Sequence, residues 1–236
     1  MNSESFEPTD PSAIMGALMK ASSGKYRDNL QKFAINPGEA LGVPVPEIRK
    51  IAKGVLPGRS IALELWSSGV HEAMILATMV FPPNELTLKE ASNMLKEIRS
   101  WDLCDHFTGN LVANSTIAIR TIADWLQMES EFERRAAFST IAQLDRRKFY
   151  TAENVKFFFN CIRKAATDDR NFVKKAVLWA ILAIGKTCRE YNSLSILIAK
   201  EISGMDSKPA KWIAGRALKE LTSGKVAEHL EKFPCP

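Results

Sequence analysis

The chain is poor in the residues that build metal and redox centres. It has only three histidines and four cysteines in 236 residues. Cys104, Cys161, Cys188 and Cys235 are scattered, with no CxxC pair and no histidine at ligand spacing. That pattern argues against a zinc site and fits reduced, mostly buried thiols. His71 and Glu72 in VHEAM have no second histidine four residues after His71, so the HExxH metal helix is not met. Neither GxGxxG nor GxxxxGK[ST] occurs, so the expectation is a protein with no metal and no cofactor. Long apolar runs are missing too. The longest candidate, AVLWAILAIG at 176–185, is too short to span a bilayer. The first ten residues, MNSESFEPTD, carry neither a basic n-region nor an apolar h-region. The expected location is therefore cytoplasmic, with no membrane partner.

What is present is an ordinary soluble composition, 46% hydrophobic and 25% charged, in a chain long enough for a full core. A polar tail over residues 1–10 is expected to be poorly ordered, and residues 11–236 to form a single helical repeat domain. The net charge of +5 and a pI near 9.0 suit a polyanionic partner if the bases gather on one surface.

Nearly every segment has helical period, and none alternates as a strand does. Asp10-Pro11-Ser12 opens a helix that Ser22-Ser23-Gly24 is expected to close. Val45-Pro46-Glu47 opens another, and Pro57-Gly58 ends it. Thr87 with Glu90 three residues on makes a capping box. Further helices are expected over 101–113, 116–128, 131–144, 152–166, 171–186, 191–202, 209–222 and 225–232. The fold class is all-α, and short connections favour stacked antiparallel pairs.

A repeat narrows this architecture. EFERRAAF (131–138) and NFVKKAVL (171–178) share an aromatic residue, a basic pair and an alanine. Phe132 and Phe172 are 172 − 132 = 40 residues apart, the period of HEAT-type helix pairs. The expected architecture is an α-solenoid of HEAT-like pairs with a concave basic surface. On it Arg134-Arg135 and Lys174-Lys175 would recur on successive repeats and can track a phosphate backbone, or serve only as a solvated helix face.

RSWDLCDHF (99–107) holds the densest chemistry. In a helix starting near Trp101, Asp105 lies one turn on and on the same face, while Asp102 and His106 form the neighbouring i, i+4 pair. Asp102 suits the helix start, where carboxylates favour the dipole. His106 is expected to be structural and His229 to lie on the surface with the tail FPCP. Trp66, Trp125 and Trp212 are expected in the core, and by its aliphatic neighbours Trp179 as well.

In order and spacing, ALGVPVPEIRKIAK (40–53), SWDLCD (100–105), EFERRAA (131–137), RNFVKKAVLWA (170–180) and AKWIAGRALKELTS (210–223) resemble the AlkD-like DNA alkylation repair family. The resemblance implies a HEAT-like solenoid acting as a monofunctional, metal-free DNA glycosylase. Such an enzyme removes cationic alkylated bases, of the 3-methyladenine and 7-methylguanine type, from double-stranded DNA, and here would act as a monomer, nucleoid-associated when bound. By motif, Trp101 and Asp105 take the aromatic and catalytic-acid positions, Trp179 the second aromatic wall, and Arg135 the arginine near the lesion. Phe33 falls where members can carry Tyr, Leu182 where they often carry Arg, and Pro44 where a polar side chain can approach DNA. Two other functions stay open: a HEAT-repeat protein that binds damaged or branched DNA without catalysis, and a protein-interaction scaffold.

The chemistry fits the resemblance. An alkylated base that is already cationic needs no protonation to leave, so the barrier lies in the positive charge growing on the sugar. A carboxylate at about 4 Å offers roughly 4 kcal/mol at an effective dielectric near 20, on the order of a thousandfold in rate. It can also orient or deprotonate the attacking water. Indole faces add roughly 0.5–2 kcal/mol each toward a cationic base.

Overall fold

Helix starts are set by local caps. Asp10 accepts from the Ser12 amide at 2.9 Å, and Pro11 opens α1 (Pro11–Lys20). Ser23 caps α2 (Gly24–Leu30) through the Tyr26 amide; the Ser-Ser-Gly expected to end one helix thus begins the next as well. The computed structural model describes residues 10–35, 40–232 and 235. The expected N-terminal tail, apart from Asp10, lies outside the described residues, as does all of FPCP except Cys235.

The chain divides into two compact units, one ending at Ile117 and one beginning at Ala118. After α2 the first unit contains α3 (Val45–Ala52), α4 (Arg59–Ser67), α5 (His71–Val80), α6 (Leu88–Glu97) and α7 (Trp101–His106). Thr87 and Glu90 form the expected capping box at α6, with both reciprocal bonds made. The helix expected over 101–113 is real but irregular: α7 passes into a π turn at Phe107–Leu111 and a 3-10 turn at Val112–Asn114. π turns commonly sit beside functional groups, and here the turn follows directly on Asp105 and His106. The Thr108 hydroxyl donates back to the Asp105 carbonyl at 3.2 Å, closing that turn.

Successive helix pairs of the first unit are joined at regular offsets. Arg59 pairs with Glu90, the Trp66 indole donates to Glu97 at 3.1 Å and His71 meets Asp102 at 2.8 Å, each across 31 residues. Asn110 donates to the Thr78 hydroxyl across 32.

The second unit contains α8 (Ala118–Trp125), α9 (Glu131–Gln143), α10 (Arg146–Phe149), α11 (Ala152–Ala165), α12 (Asn171–Gly185), α13 (Arg189–Ser203), α14 (Lys208–Leu221) and α15 (Gly224–Leu230). α12 is apolar almost all round because α9, α13 and α14 all pack on it. Here the forty-residue repeat is physical. Phe132 and Phe172 stack with ring centres 5.8 Å apart, and the Phe172 amide donates to Glu131 at 2.9 Å. Tyr191 donates to the Tyr150 carbonyl at 2.8 Å. Trp212 stands 212 − 172 = 40 residues after Phe172 and supplies a third copy of the aromatic position.

Two expectations about packing need correction. Trp66 and Trp125 are buried, but Trp212 is only half-buried, with the cations of Lys174 and Arg216 over its ring. The thiols are not all reduced: Cys188 and Cys235 form a disulfide across 47 residues. Cysteines so far apart in sequence meet only through the tertiary fold. Cys104 and Cys161 are free and buried, and burial pushes the Cys161 thiol up to about 11. No strand occurs among the described residues, and no described helix is long and apolar enough to cross a membrane.

Candidate active site

In the first unit a cavity of about 300 Å³ is walled by Tyr26, Phe33 and Trp101 and floored by Leu30, Val43 and Ile75. Asp102, Asp105, His71 and His106 supply its polar side. The size falls at the lower end of small-ligand sites, roughly 300–1,000 Å³. Trp101 and Asp105, one helical turn apart on α7, both line it, as their spacing predicts. The indole N–H of Trp101 donates to the Phe33 carbonyl at 2.8 Å, which fixes the ring and ties α7 to the turn after α2. Phe33 itself is 63% exposed.

The wall that faces α7 is organised by a carboxylate no motif pointed to. Glu72, 1% exposed, accepts the amides of Leu41, Gly42 and Val43 at 2.8, 2.7 and 3.1 Å. A single side chain thus holds the backbone of the ALGV segment. Gly42 is required there. Its φ is +81°, and a Cβ would lie 2.3 Å from the Ser23 carbonyl oxygen. The neighbouring His71 and Glu72 anchor α5 to two different segments. Among the described residues no group of three or more His, Cys, Asp or Glu is placed to hold a metal.

Asp102 does begin α7, as expected for a first-turn carboxylate. Its partner, however, is His71 on α5 rather than His106, because α5 packs directly against α7. Burial pushes the Asp102 carboxyl up, but the hydrogen bond and charge of His71 outweigh it and hold the group below the usual carboxylate range. Burial likewise lowers His71, yet the Asp102 bond and charge, with Glu72 adding, carry it above its ordinary value. His106 moves the other way. Burial, with Arg49 and His71 nearby, outweighs Asp102 and lowers it.

The remaining sequence-selected residues belong to the second unit. Arg134 on α9 donates to the Met128 carbonyl at 2.9 Å and pairs with Asp168 at 3.4 Å. Arg135 is 5% exposed and donates to the Phe172 carbonyl at 2.9 Å, with its guanidinium 6.0 Å from the Phe172 ring. Of the α12 bases, Lys175 is exposed and Lys174 half-buried, the latter 5.6 Å from the Trp212 ring centre. Trp179 and Leu182 are half-buried on α12.

Antiparallel helices joined at regular offsets, with a carboxylate and an indole beside a cavity, define an all-α helical-repeat protein of the HEAT-like kind. A family model described as DNA alkylation repair enzyme matches residues 14–194, and the chain belongs to that family. No curated protein matches it significantly. It is similar to a solved structure described as representing a new family of proteins related to the HEAT-like repeat DNA glycosylases with affinity for branched DNA structures. That match has a TM-score of 0.74 and 17% identity, covering 89% of this chain and 94% of that one. A designed armadillo repeat protein matches at a TM-score of 0.43 and 14% identity, over 90% of this chain and 93% of that one.

Proposed function

We propose that this protein is a monofunctional DNA glycosylase that hydrolyses the N-glycosidic bond of cationic alkylated bases in double-stranded DNA. The observation that carries this reading is the joint presence of Trp101 and Asp105 on one cavity wall, with the indole fixed by the Phe33 carbonyl. Asp105 stabilises the charge that grows on the sugar and directs the attacking water; Trp101 offers a π face to the cationic base. Trp179, half-buried on α12, is assigned to the second aromatic position by the resemblance alone. Arg134 on α9, Lys174 and Lys175 on α12, and Phe33 beside the cavity are the DNA-contacting groups, whereas Arg135 is buried and joins α9 to α12 through the Phe172 carbonyl. Neither a metal nor an organic cofactor is required, since alkylation has already made the base a leaving group.

The test is single-turnover base release from methylated duplex DNA by the wild type and by Asp105→Asn. A loss on the order of a thousandfold is expected, from roughly 4 kcal/mol of charge stabilisation at about 4 Å, with DNA affinity unchanged. Equal rates would remove the catalytic role of Asp105. A second reading is favoured by the branched-DNA affinity of the protein whose structure this fold resembles, and by Phe33, which has no hydroxyl to donate. On that reading the chain binds branched or damaged DNA without cleavage, and neither protein releases base while both bind DNA.

A further inference from the structure

In sequence, the basic pair that supplies Arg134-Arg135 and Lys174-Lys175 stops there, since the matching positions forty residues on are Ala214 and Gly215. Spatially it does not stop. Trp212 occupies the third aromatic position, and a base returns one residue later, at Arg216. The Arg216 guanidinium carbon lies 4.7 Å from the centre of the Trp212 ring, and the Lys174 ammonium, from the preceding repeat, lies 5.6 Å from it. Two cations therefore converge on one half-buried indole. Several other bases of this unit have a carboxylate partner: Arg134 with Asp168, Arg163 with Glu201, Lys186 with Glu220 and Lys211 with Asp206. Among the described residues no such ion pair forms at Lys174, Lys175 or Arg216. Bases on neighbouring helices without a carboxylate partner present positive potential that an anion can neutralise.

Gly215 adds an independent sign. It is exposed in the middle of α14, where glycine is less favourable than alanine by about 1 kcal/mol. Nothing in the chain lies within 4 Å of where its Cβ would be, so internal packing does not require it. It leaves open backbone on the same helix as Trp212 and Arg216, which a partner's backbone can approach closely.

We infer that Lys174, Trp212 and Arg216, with the open surface at Gly215, form a phosphate-backbone site for duplex DNA on α12 and α14. The inference rests on the DNA-binding part of the proposed function, but not on catalysis. Packed helices lie about 8–10 Å apart, and each DNA strand carries a charge every ~3.4 Å along its axis. A step from one repeat to the next thus spans two or three phosphates. The indole sets the two cations in place and shields their apolar stems; the cations make the contacts. Lys175, exposed on α12, adds charge without being part of the ring.

The experiment measures Kd of the full chain for an undamaged labelled duplex across a salt series. It compares wild type, Arg216→Gln, the double variant Lys174→Gln/Arg216→Gln, Arg216→Lys, and Lys225→Gln as a control on α15. Each lost phosphate contact lowers the slope of log K against log salt by about 0.9. For the double variant, its affinity deficit relative to wild type then shrinks about twelvefold between 50 and 200 mM salt. Arg216→Lys keeps the charge and is expected to keep the slope, and Lys225→Gln changes it less than the double variant does. Trp212→Leu, checked for an unchanged melting temperature, should weaken binding through loss of cation placement. A double variant with the wild-type or control slope would overturn the site. So would wild-type protein that binds polyglutamate but no duplex, pointing to an acidic protein instead. Lys225→Gln should release base from methylated DNA as the wild type does. Asp105→Asn should lose release while keeping the wild-type salt slope, and the double variant should lose slope, which separates the two proposals.

Discussion

Replacing Glu72 by Gln tests how the cavity wall is held. The carboxylate is 1% exposed; Oε1 accepts the amides of Gly42 and Val43, and Oε2 that of Leu41. Glutamine preserves the shape and one oxygen, so two bonds persist as neutral ones. Each falls from roughly 1.5–3 kcal/mol for a charged acceptor to about 0.5–1.5 kcal/mol. The third bond is lost, because the new amide NH₂ faces the Leu41 N–H, donor against donor. An unsatisfied buried donor costs about 1–3 kcal/mol. The sum is a destabilisation of about 3–6 kcal/mol, a large share of the ~5–15 kcal/mol of a typical domain. Urea unfolding should show a lower midpoint at unchanged m-value, and the melting temperature should fall by about 2–4 °C per kcal/mol. Hydrogen exchange is the specific readout: the amides of Leu41, Gly42 and Val43 should lose protection first. A loss below about 1 kcal/mol, or unchanged protection at those three amides, would refute the account of the wall.

Gly42→Ala should cost about 1–2 kcal/mol from the left-handed backbone alone, with the contact to the Ser23 carbonyl added; wild-type urea stability would remove the requirement for glycine. The His71–Asp102 pair should stabilise most between pH 3.8 and 6.5, the ordinary values of the two groups. The Asp102 contribution, from a lowered carboxyl, disappears as pH falls through its folded value, and that of His71, from a raised imidazole, as pH rises through its own. Thermal melts of wild type and His71→Gln should therefore converge in alkali, and a constant gap from pH 5 to 9 would contradict the pairing. Cys188→Ser should destabilise the oxidised protein by up to about 4 kcal/mol, from the chain entropy of a closed loop of this length. Non-reducing peptide mapping that finds both thiols free would discard the bridge.

The local rules read from sequence were enough for the helices. The Thr87 box and the Asp10-Pro11 start are decided within a few residues of chain, so composition and capping determine them. The turn spacing that joins Trp101 to Asp105 is likewise a property of one helix. The repeat between Phe132 and Phe172 was legible because the same residue types recur and then stack. The junctions of the first unit were not, because they join unlike partners: Arg59 to Glu90, Trp66 to Glu97, His71 to Asp102. Self-similarity registers likeness, while an ion pair or hydrogen bond requires complementarity.

Trp212 shows the same limit from the other side. Its sequence neighbours Ile213 and Ala214 are buried and suggest core, but the faces of its ring are decided by Lys174 on another helix and Arg216 one turn on. Sequence by itself determined that this chain is helical and repetitive, and that a carboxylate and an indole share one helix face. Tertiary structure alone decided that Glu72 holds a loop, that Asp102 belongs to His71, and that Cys188 finds Cys235. Those are contacts across 29 to 47 residues, selected by how whole helices pack rather than by any signal their own segments carry.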